Sequence, residues 1–232
     1  MKKKLNIVVV GARGRMGREV IKVVSKDNSL KLSATIDNDK KFELKNLRKI
    51  NADVVIDFSI PQGAVEAAFW CAQLKIPLVT GTTGLNKKQE LQIRRASKKT
   101  AILVSPNMSV GVNALVEALK AFCKKFGRCR VEIEETHHIH KRDKPSGTAR
   151  FLEKVVRGEI SKGSVVKKPK SLRRGEILGV HKVNFISESE RVCFQHTATD
   201  RSLFARGAIK AAKWLVGRNP GMYSLGNLGP SD

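Results

Sequence analysis

Short apolar segments alternate with helical patterns through the first 105 residues, and this alternation restricts the fold more than any other feature. Residues 5–10, with an unbroken apolar run over 7–10, are typical of a strand covered on both faces, and residues 15–26 carry apolar side chains at helical spacing. Further strands are predicted at 30–36, 54–58, 76–80 and 101–105, and helices from Pro61 and over 86–98. Repeated units of this length predict a Rossmann-like α/β fold with a doubly wound parallel sheet.

The pattern changes after Pro106. A helix over residues 110–125 is followed by an alternating strand over 130–138, and two alternating segments flank a turn at 187–190, which is typical of a hairpin. A last helix is predicted over 203–215, and the basic stretch 162–174 is predicted to be an exposed loop. The second half therefore reads as an α+β domain with a mixed or antiparallel sheet.

A glycine-rich turn joins the first strand to the first helix. Its residues are Gly11, Ala12, Arg13, Gly14, Arg15, Met16 and Gly17, in a G-x-x-G-x-x-G pattern. Glycines in this place let the backbone approach a pyrophosphate at a helix N-terminus. Asp37 follows 20 residues after Gly17 at a strand end, where a carboxylate can accept a hydrogen bond from a ribose 2′-hydroxyl. The segment predicts a nicotinamide dinucleotide site.

The choice between NADH and NADPH stays open at this point. Asp37 favours NADH because a carboxylate repels a 2′-phosphate, whereas Lys40, Lys41 and an arginine of the glycine turn could bind that phosphate. Two further segments are expected beside the cofactor because they follow strands at the same sheet edge. They are Gly81, Thr82 and Thr83, and then Ser105, Pro106, Asn107 and Met108.

The densest chemistry lies in residues 135–149. His137, His138 and His140 fall within four positions and are followed directly by Lys141. A histidine can donate or relay a proton near neutral pH, and a lysine supplies a cation. Ser146, Gly147 and Thr148 then open a helix whose free N–H groups suit a carboxylate. We expect no metal here, because no Cys/His tetrad or HExxH arrangement completes a zinc site.

Composition sets the remaining bounds. The net charge is +24 with 45 Lys+Arg, but the basic residues are scattered and aromatic residues are only 5%, which argues against a specific nucleic-acid function. No segment predicts a signal peptide or a membrane span. The four cysteines show no framework spacing and are expected to be reduced, buried thiols of a cytoplasmic protein.

Taken together, these motifs resemble the 4-hydroxy-tetrahydrodipicolinate reductase (dihydrodipicolinate reductase) family. Residues 135–149 fit its signature E-x-H-H-x-x-K-x-D-x-P-S-G-T-A at every fixed position. The glycine turn and residues 81–84, 107–113 and 196–208 also correspond, so the resemblance covers nearly the whole chain. The chain departs from many relatives in a short segment after Asp37 and in its tail after Tyr223.

The resemblance implies roles for individual residues. His137 would be the proton donor or acceptor and Lys141 a proton donor, in the NAD(P)H-dependent reduction of a small cyclic dicarboxylate in lysine and diaminopimelate biosynthesis. Substrate contacts are expected from His138, Ser146, Gly147 and Thr148. Cofactor contacts are expected from the glycine turn, Asp37, the segments 81–83 and 105–108, and Arg201.

The resemblance also implies an organisation. Residues 1–108 and 201–232 would form a dinucleotide-binding domain, and residues 109–200 a domain for substrate binding and homotetramer assembly. Three alternatives stay open: another NAD(P)-linked dehydrogenase with the same two-domain plan, a basic nucleic-acid-binding protein, and an inactive member of the family. The segment 135–149 argues against the first and the third, and the scattered basic residues argue against the second.

Overall fold

A computed structural model of the chain describes residues 4–37 and 44–229. It divides into two compact units, the first formed by Met1–Met108 with Ser202–Asp232 and the second by Ser109–Arg201. The first unit holds a parallel sheet flanked by helices and the second a mixed sheet, so the predicted fold class is confirmed.

The first unit is built on a six-stranded parallel sheet with the order β11-β5-β4-β3-β1-β2. Its strands are β1 (Leu5–Val10), β2 (Leu30–Ile36), β3 (Val54–Asp57), β4 (Leu78–Thr80), β5 (Ala101–Val104) and β11 (Gly221–Tyr223). Its helices are α1 (Arg15–Lys26), α2 (Pro61–Leu74), α3 (Lys87–Ala96) and α6 (Ser202–Leu215), with short 3-10 turns at Leu44–Lys49 and Leu225–Asn227.

The side chains of β1 are buried on both faces of this sheet. Ile7 and Val9 pack into an apolar cluster with α1 and α6, whereas Val8 and Val10 pack into a second cluster with α2 and α3. All four are nearly inaccessible to water. A strand buried on both faces needs an unbroken apolar run, and this explains why residues 7–10 contain no alternation.

An ion pair connects α6 to the end of α1. Nζ of Lys213 lies 2.7 Å from Oδ2 of Asp27, and hydrogen bonds from Lys213 and Ser29 lower the pKa of Asp27 from its ordinary 3.8 to about 2. Because the folded pKa lies below the unfolded one, the pair stabilises the fold above about pH 4. That stability is lost as the pH falls toward 2.

Lys213→Met should therefore lower the free energy of unfolding at pH 7 by less than about 1 kcal/mol, since both side chains are partly exposed and screened. Urea unfolding at pH 7 and near pH 2 measures the effect, with Lys210→Met one turn earlier as control. The Lys213→Met deficit should shrink at the lower pH. An equal deficit at both pH values would contradict the assigned pKa shift.

The second unit is a mixed sheet packed against two helices. Its strands are β6 (Arg130–His137), β7 (Val165–Val166), β8 (Lys170–Arg173), β9 (Gly179–Ile186) and β10 (Arg191–Ala198), and its helices are α4 (Val110–Cys123) and α5 (Gly147–Glu159). The sheet order is β10-β9-β6-β7, and β8 also pairs with β6. Phe122, Phe126, Phe185 and Phe194 contact one another in its core.

The expectation of an exposed loop over residues 162–174 is wrong. This stretch forms β7 and β8, which both pair in parallel with β6, and Arg173 lies opposite His137 in the register. In β8, Lys170 is exposed, whereas Arg173 lies on the less exposed face, where its side chain contacts Glu135.

The cysteines follow the prediction in part. All four are free thiols, and Cys71, Cys123 and Cys129 are buried, but Cys193 is exposed on β10. Cys193 alternates with inward-facing side chains of the same strand, which places it on the opposite face. Within the described residues, no helix is both long and apolar enough to span a membrane.

Candidate functional site

In the first unit, the predicted cofactor segments follow the carboxyl ends of adjacent parallel strands. The glycine turn follows β1, Asp37 follows β2, residues 81–83 follow β4 and residues 105–108 follow β5. In sheets of this type, ligands bind at this edge where the strand order reverses, which here is around β1.

The glycine turn is compact because two of its glycines leave no space for a side chain. Gly11 has a φ of +75°, and a Cβ there would lie 2.5 Å from the carbonyl oxygen of Phe58. A Cβ on Gly17 would lie 2.2 Å from the carbonyl oxygen of Gly11. Helix α1 begins at Arg15, and its N-cap residue Gly14 provides no side-chain cap, so no cap side chain covers the N-terminal amide groups of the helix. This arrangement suits a pyrophosphate.

Asp37 contacts the glycine turn directly. Its Oδ2 accepts a hydrogen bond of 2.6 Å from the backbone N–H of Arg13. The carboxylate is therefore held beside the turn at the end of β2, where the fold places a ribose-binding acid. Arg13 and Arg15 are exposed, and Lys40 and Lys41 lie outside the described residues.

A buried carboxylate that sequence reasoning did not single out organises the next loop. Asp57, at the end of β3, accepts hydrogen bonds from the hydroxyls of Ser59, Thr80 and Thr82 at 2.5, 2.6 and 2.7 Å. Burial raises the pKa of its carboxyl. The Thr82 hydroxyl is thus committed to Asp57, whereas Thr83 is exposed. Of these two threonines, only Thr83 presents its side chain to a ligand.

The segment after β5 is mostly internal. Ser105 is buried and its hydroxyl donates to the carbonyl of Asn107 at 2.7 Å, and Met108 packs in the apolar cluster of α1 and α6. Pro106 is exposed. A ligand at this edge would meet mainly the backbone and Pro106.

In the second unit, the last residue of β6 is a buried histidine in contact with a buried carboxylate. Nδ1 of His137 lies 2.8 Å from Oε2 of Glu135, with the ring N–H off the line between the two atoms. Oε1 of Glu135 accepts from the backbone N–H of Ser146 at 3.0 Å and from Nη2 of Arg173 at 3.2 Å. His181 completes the group, with its ring centroid 5.0 Å from that of His137. We call Glu135, His137, Arg173 and His181 the Glu135 network.

Charges in the Glu135 network have defined signs. Burial alone would raise the pKa of the Glu135 carboxyl, but its contacts with His137 and Ser146 bring that pKa well below its usual range. Burial lowers the pKa of His181 to about 3, and the neighbouring His137 adds to the effect. At neutral pH, Glu135 is therefore an anion and His181 is uncharged.

Lys141 lies in the turn after β6. Its Nζ contacts Oδ1 of Asp143 at 2.7 Å, and the backbone carbonyl of Lys141 accepts from Nε of Arg173 at 3.1 Å. Arg173 thereby joins the turn that carries Lys141 to the carboxylate beside His137. His138 is buried, whereas His140 is exposed on the same turn.

The predicted Ser-Gly-Thr turn forms the start of α5. Ser146 caps the helix by accepting from the N–H of Ala149 at 3.1 Å, and its Oγ lies 3.3 Å from Nε2 of His181. The side chain is 2% exposed, so it serves the protein's own structure. Gly147 is half-buried at the first helical position, and Thr148 follows it.

The Glu135 network also has the composition of a metal site. Ligand atoms of Glu135, His137 and His181 lie within 4.8 Å of one another. However, two ligands of a tetrahedral zinc ion sit about 3.3 Å apart, given bonds of about 2.05 Å. The 2.8 Å between His137 and Glu135 is shorter, and Arg173 already neutralises the carboxylate. The geometry favours proton handling over zinc.

Arg201 is the last residue of the second unit and lies half-buried in the turn before α6. Of the predicted residues, the structure groups the cofactor candidates of the first unit on one sheet edge, and His137, Ser146 and Lys141 around Glu135 and Arg173. Arg173 and His181 were not predicted. The only sequence signal concerns His181, which lies on the alternating face of β9 that also carries Val183 and Phe185. No pattern marks Arg173.

Comparison with known proteins gives consistent matches over the length of the chain. The family described as "Dihydrodipicolinate reductase, N-terminus" matches residues 5–108, and "Dihydrodipicolinate reductase, C-terminus" matches residues 111–228. A 4-hydroxy-tetrahydrodipicolinate reductase of Bdellovibrio bacteriovorus is 38% identical, over 96% of this chain and 95% of that protein. One from Pelagibacter ubique is 35% identical, over 97% and 98%.

Solved structures share the fold. A dipicolinate-bound dihydrodipicolinate reductase from Paenisporosarcina sp. TG-14 matches with a TM-score of 0.81 at 21% identity, covering 97% of this chain and all of that one. An amine dehydrogenase from Mycobacterium smegmatis matches with a TM-score of 0.70 at 10% identity, covering 98% and 97%. The same fold therefore occurs with different activities, and the site residues carry the distinction.

Proposed function

The chain belongs to the dihydrodipicolinate reductase family, and on that premise we propose that it reduces 4-hydroxy-tetrahydrodipicolinate to tetrahydrodipicolinate with NADH or NADPH, in lysine and diaminopimelate biosynthesis. The observation that carries the proposal is the Glu135 network, in which a buried histidine contacts a carboxylate beside a lysine-bearing turn.

The chemistry assigns separate tasks to the two units. When bound, the nicotinamide supplies a hydride. The substrate loses water to give an unsaturated ring conjugated to an imine, and the ring then accepts the hydride and one proton. His137 and Lys141 would supply that proton and stabilise the negative charge that develops on the ring. His138, Gly147 and Thr148 would hold the carboxylates.

Residues of the first unit fit a dinucleotide. Gly11 and Gly17 keep the turn close, the uncapped start of α1 offers N–H groups to the pyrophosphate, and Asp37 would accept from the ribose. The exposed Thr83 and Pro106 would lie along the nicotinamide half.

Cofactor preference should respond to Asp37. Asp37→Ala is expected to weaken NADH binding by about 10- to 100-fold, because a hydrogen bond to a charged acceptor is lost, and NADPH binding far less, because repulsion of the phosphate is lost too. Titration of both cofactors by fluorescence measures this. Asp37→Asn is the matched control, since it keeps an oxygen for the Arg13 N–H. Equal losses for both cofactors in Asp37→Ala would remove Asp37 from the ribose.

A coupled assay tests the function. Pyruvate and aspartate semialdehyde are condensed by the preceding synthase, this protein is added, and oxidation of NADH and NADPH is followed separately. Oxidation that depends on the synthase supports the proposal, and the two rates give the cofactor preference. A folded protein that binds NADH but oxidises neither cofactor would favour another NAD(P)-linked dehydrogenase.

The family resemblance further supports a homotetramer assembled through the sheet of the second unit. Because nicotinamide cofactors and the biosynthetic intermediates are held inside the cell, the reaction also implies a cytoplasmic location. A dicarboxylate ligand is consistent with the dipicolinate named for the Paenisporosarcina structure.

A further inference from the structure

Glu135 is the most enclosed charged group of the second unit's site. Its side chain is fully buried, and those of His137 and Arg173 are each 8% exposed. A buried carboxylate is costly unless its oxygens are paired. Oε1 is paired twice, with the Ser146 N–H and the Arg173 guanidinium, which leaves Oε2 facing His137.

Two elements fix Glu135 against movement. Arg173 sits on β8 opposite His137, and it donates to the backbone carbonyls of Lys141 and Asp143 as well as to Glu135. Ser146 is held in place as the cap of α5. The Glu135 carboxylate is thus held between β8 and the start of α5. Its negative charge therefore keeps a fixed position relative to the imidazole of His137.

The imidazole of His137 has two distinct sides. Nδ1 faces Glu135, and Nε2 lies on the side of Gly179, 3.1 Å from the position of a Cβ built there. Since Gly179 has no side chain, the Nε2 side is not filled by the neighbouring strand. His181, the other imidazole near Glu135, lies farther from Oε2, at 3.9 Å, and stays uncharged.

We propose that Glu135 is a positioning residue that acts through His137, holding Nδ1 against a fixed carboxylate so that Nε2 is left to exchange the substrate proton. This inference rests on the proposed function, and it adds a residue to which that function assigns no role. The off-line N–H of the contact is compatible with it, because such hydrogen bonds tighten when a catalytic complex forms. A proton leaving Nε2 in the reaction would be replaced from solvent, and Glu135 would stay ionised.

Glu135→Gln tests the proposal, because it keeps the shape and removes the charge. We expect kcat to fall by about 10- to 100-fold, with the KM for NADH within about twofold of the wild type. Glu134→Gln is the matched control, being the same change one residue earlier on the opposite face of β6. It should leave kcat within about twofold of the wild type.

A double variant tests whether Glu135 acts through His137. If Glu135 acts through His137, adding Glu135→Gln to His137→Gln should leave kcat at the value of His137→Gln alone. Multiplied losses in the double variant, or an unchanged kcat in Glu135→Gln, would overturn the inference. If Glu135→Gln does not fold, Glu135→Asp moves the charge back by one methylene and enters the same cycle. The activity of the wild-type protein in the coupled assay tests the proposed function independently of these variants.

Discussion

His137→Gln should lower turnover by about 100- to 10,000-fold, the usual contribution of a positioned general acid. Glutamine has nearly the size of histidine and can still donate to Glu135, so the fold and the Glu135 network should survive. What is lost is an imidazole, a group that can both give and take a proton. The measurement is kcat and KM in the coupled assay, together with NADH affinity by fluorescence.

The NADH affinity of His137→Gln shows whether the loss of turnover is specific to proton transfer. The cofactor segments belong to the first unit and His137 to the second, so binding should change by less than about twofold. The control is His140→Gln, which changes an exposed histidine three residues later and should behave as the wild type. A His137→Gln protein that lost cofactor binding and turnover in equal measure would not have lost a proton donor.

Gly17→Ala is expected to damage the first unit. The added Cβ would lie 2.2 Å from the carbonyl oxygen of Gly11 and 2.7 Å from Cα of Ala12, and both are backbone atoms that cannot rotate away. Helix α1 must then shift relative to the glycine turn. We expect the free energy of unfolding to fall by about 1–3 kcal/mol, the range for overpacking, and NADH affinity to fall by at least about tenfold.

Urea unfolding and NADH titration measure these two losses. Gly158→Ala in α5 is the matched control, because a Cβ there meets nothing within 4 Å, and alanine is the better helix former by about 1 kcal/mol. Gly158→Ala should be as stable as the wild type or more so. Retention of full NADH affinity by a folded Gly17→Ala protein would show that the turn does not need its close packing to bind the cofactor.

Local patterns in the sequence predict much of the first unit. The unbroken apolar run of residues 7–10 requires burial on both faces, and Gly11 and Gly17 mark a turn that only glycine can form. β11 escaped prediction because its three residues have no period of their own. They form a strand only by pairing with β5, which is more than 100 residues earlier in the chain. Such non-local pairing leaves no local pattern.

The site also has a part that the sequence predicts and a part that it does not. The histidines, Lys141 and the Ser-Gly-Thr turn lie in one continuous segment, which a motif can identify. Arg173 reaches Glu135 from another strand, 38 residues away, and the high charge of its neighbourhood predicted a loop. The start of α5 was predicted, but Ser146 was assigned to the substrate, whereas in the structure its hydroxyl caps the helix. Contacts between strands that are distant in the chain were therefore not predicted from this sequence.

The return of the chain to the first sheet has a consequence for biosynthesis. The second unit is continuous in sequence, whereas the first is completed by α6 and β11 after residue 201. As the chain leaves the ribosome, residues 109–201 emerge in full before α6 and β11 complete the first unit. Until α6 emerges, Ile7, Val9 and Val54 lack part of their cover. We therefore expect the first unit, rather than the second, to expose apolar core side chains during translation.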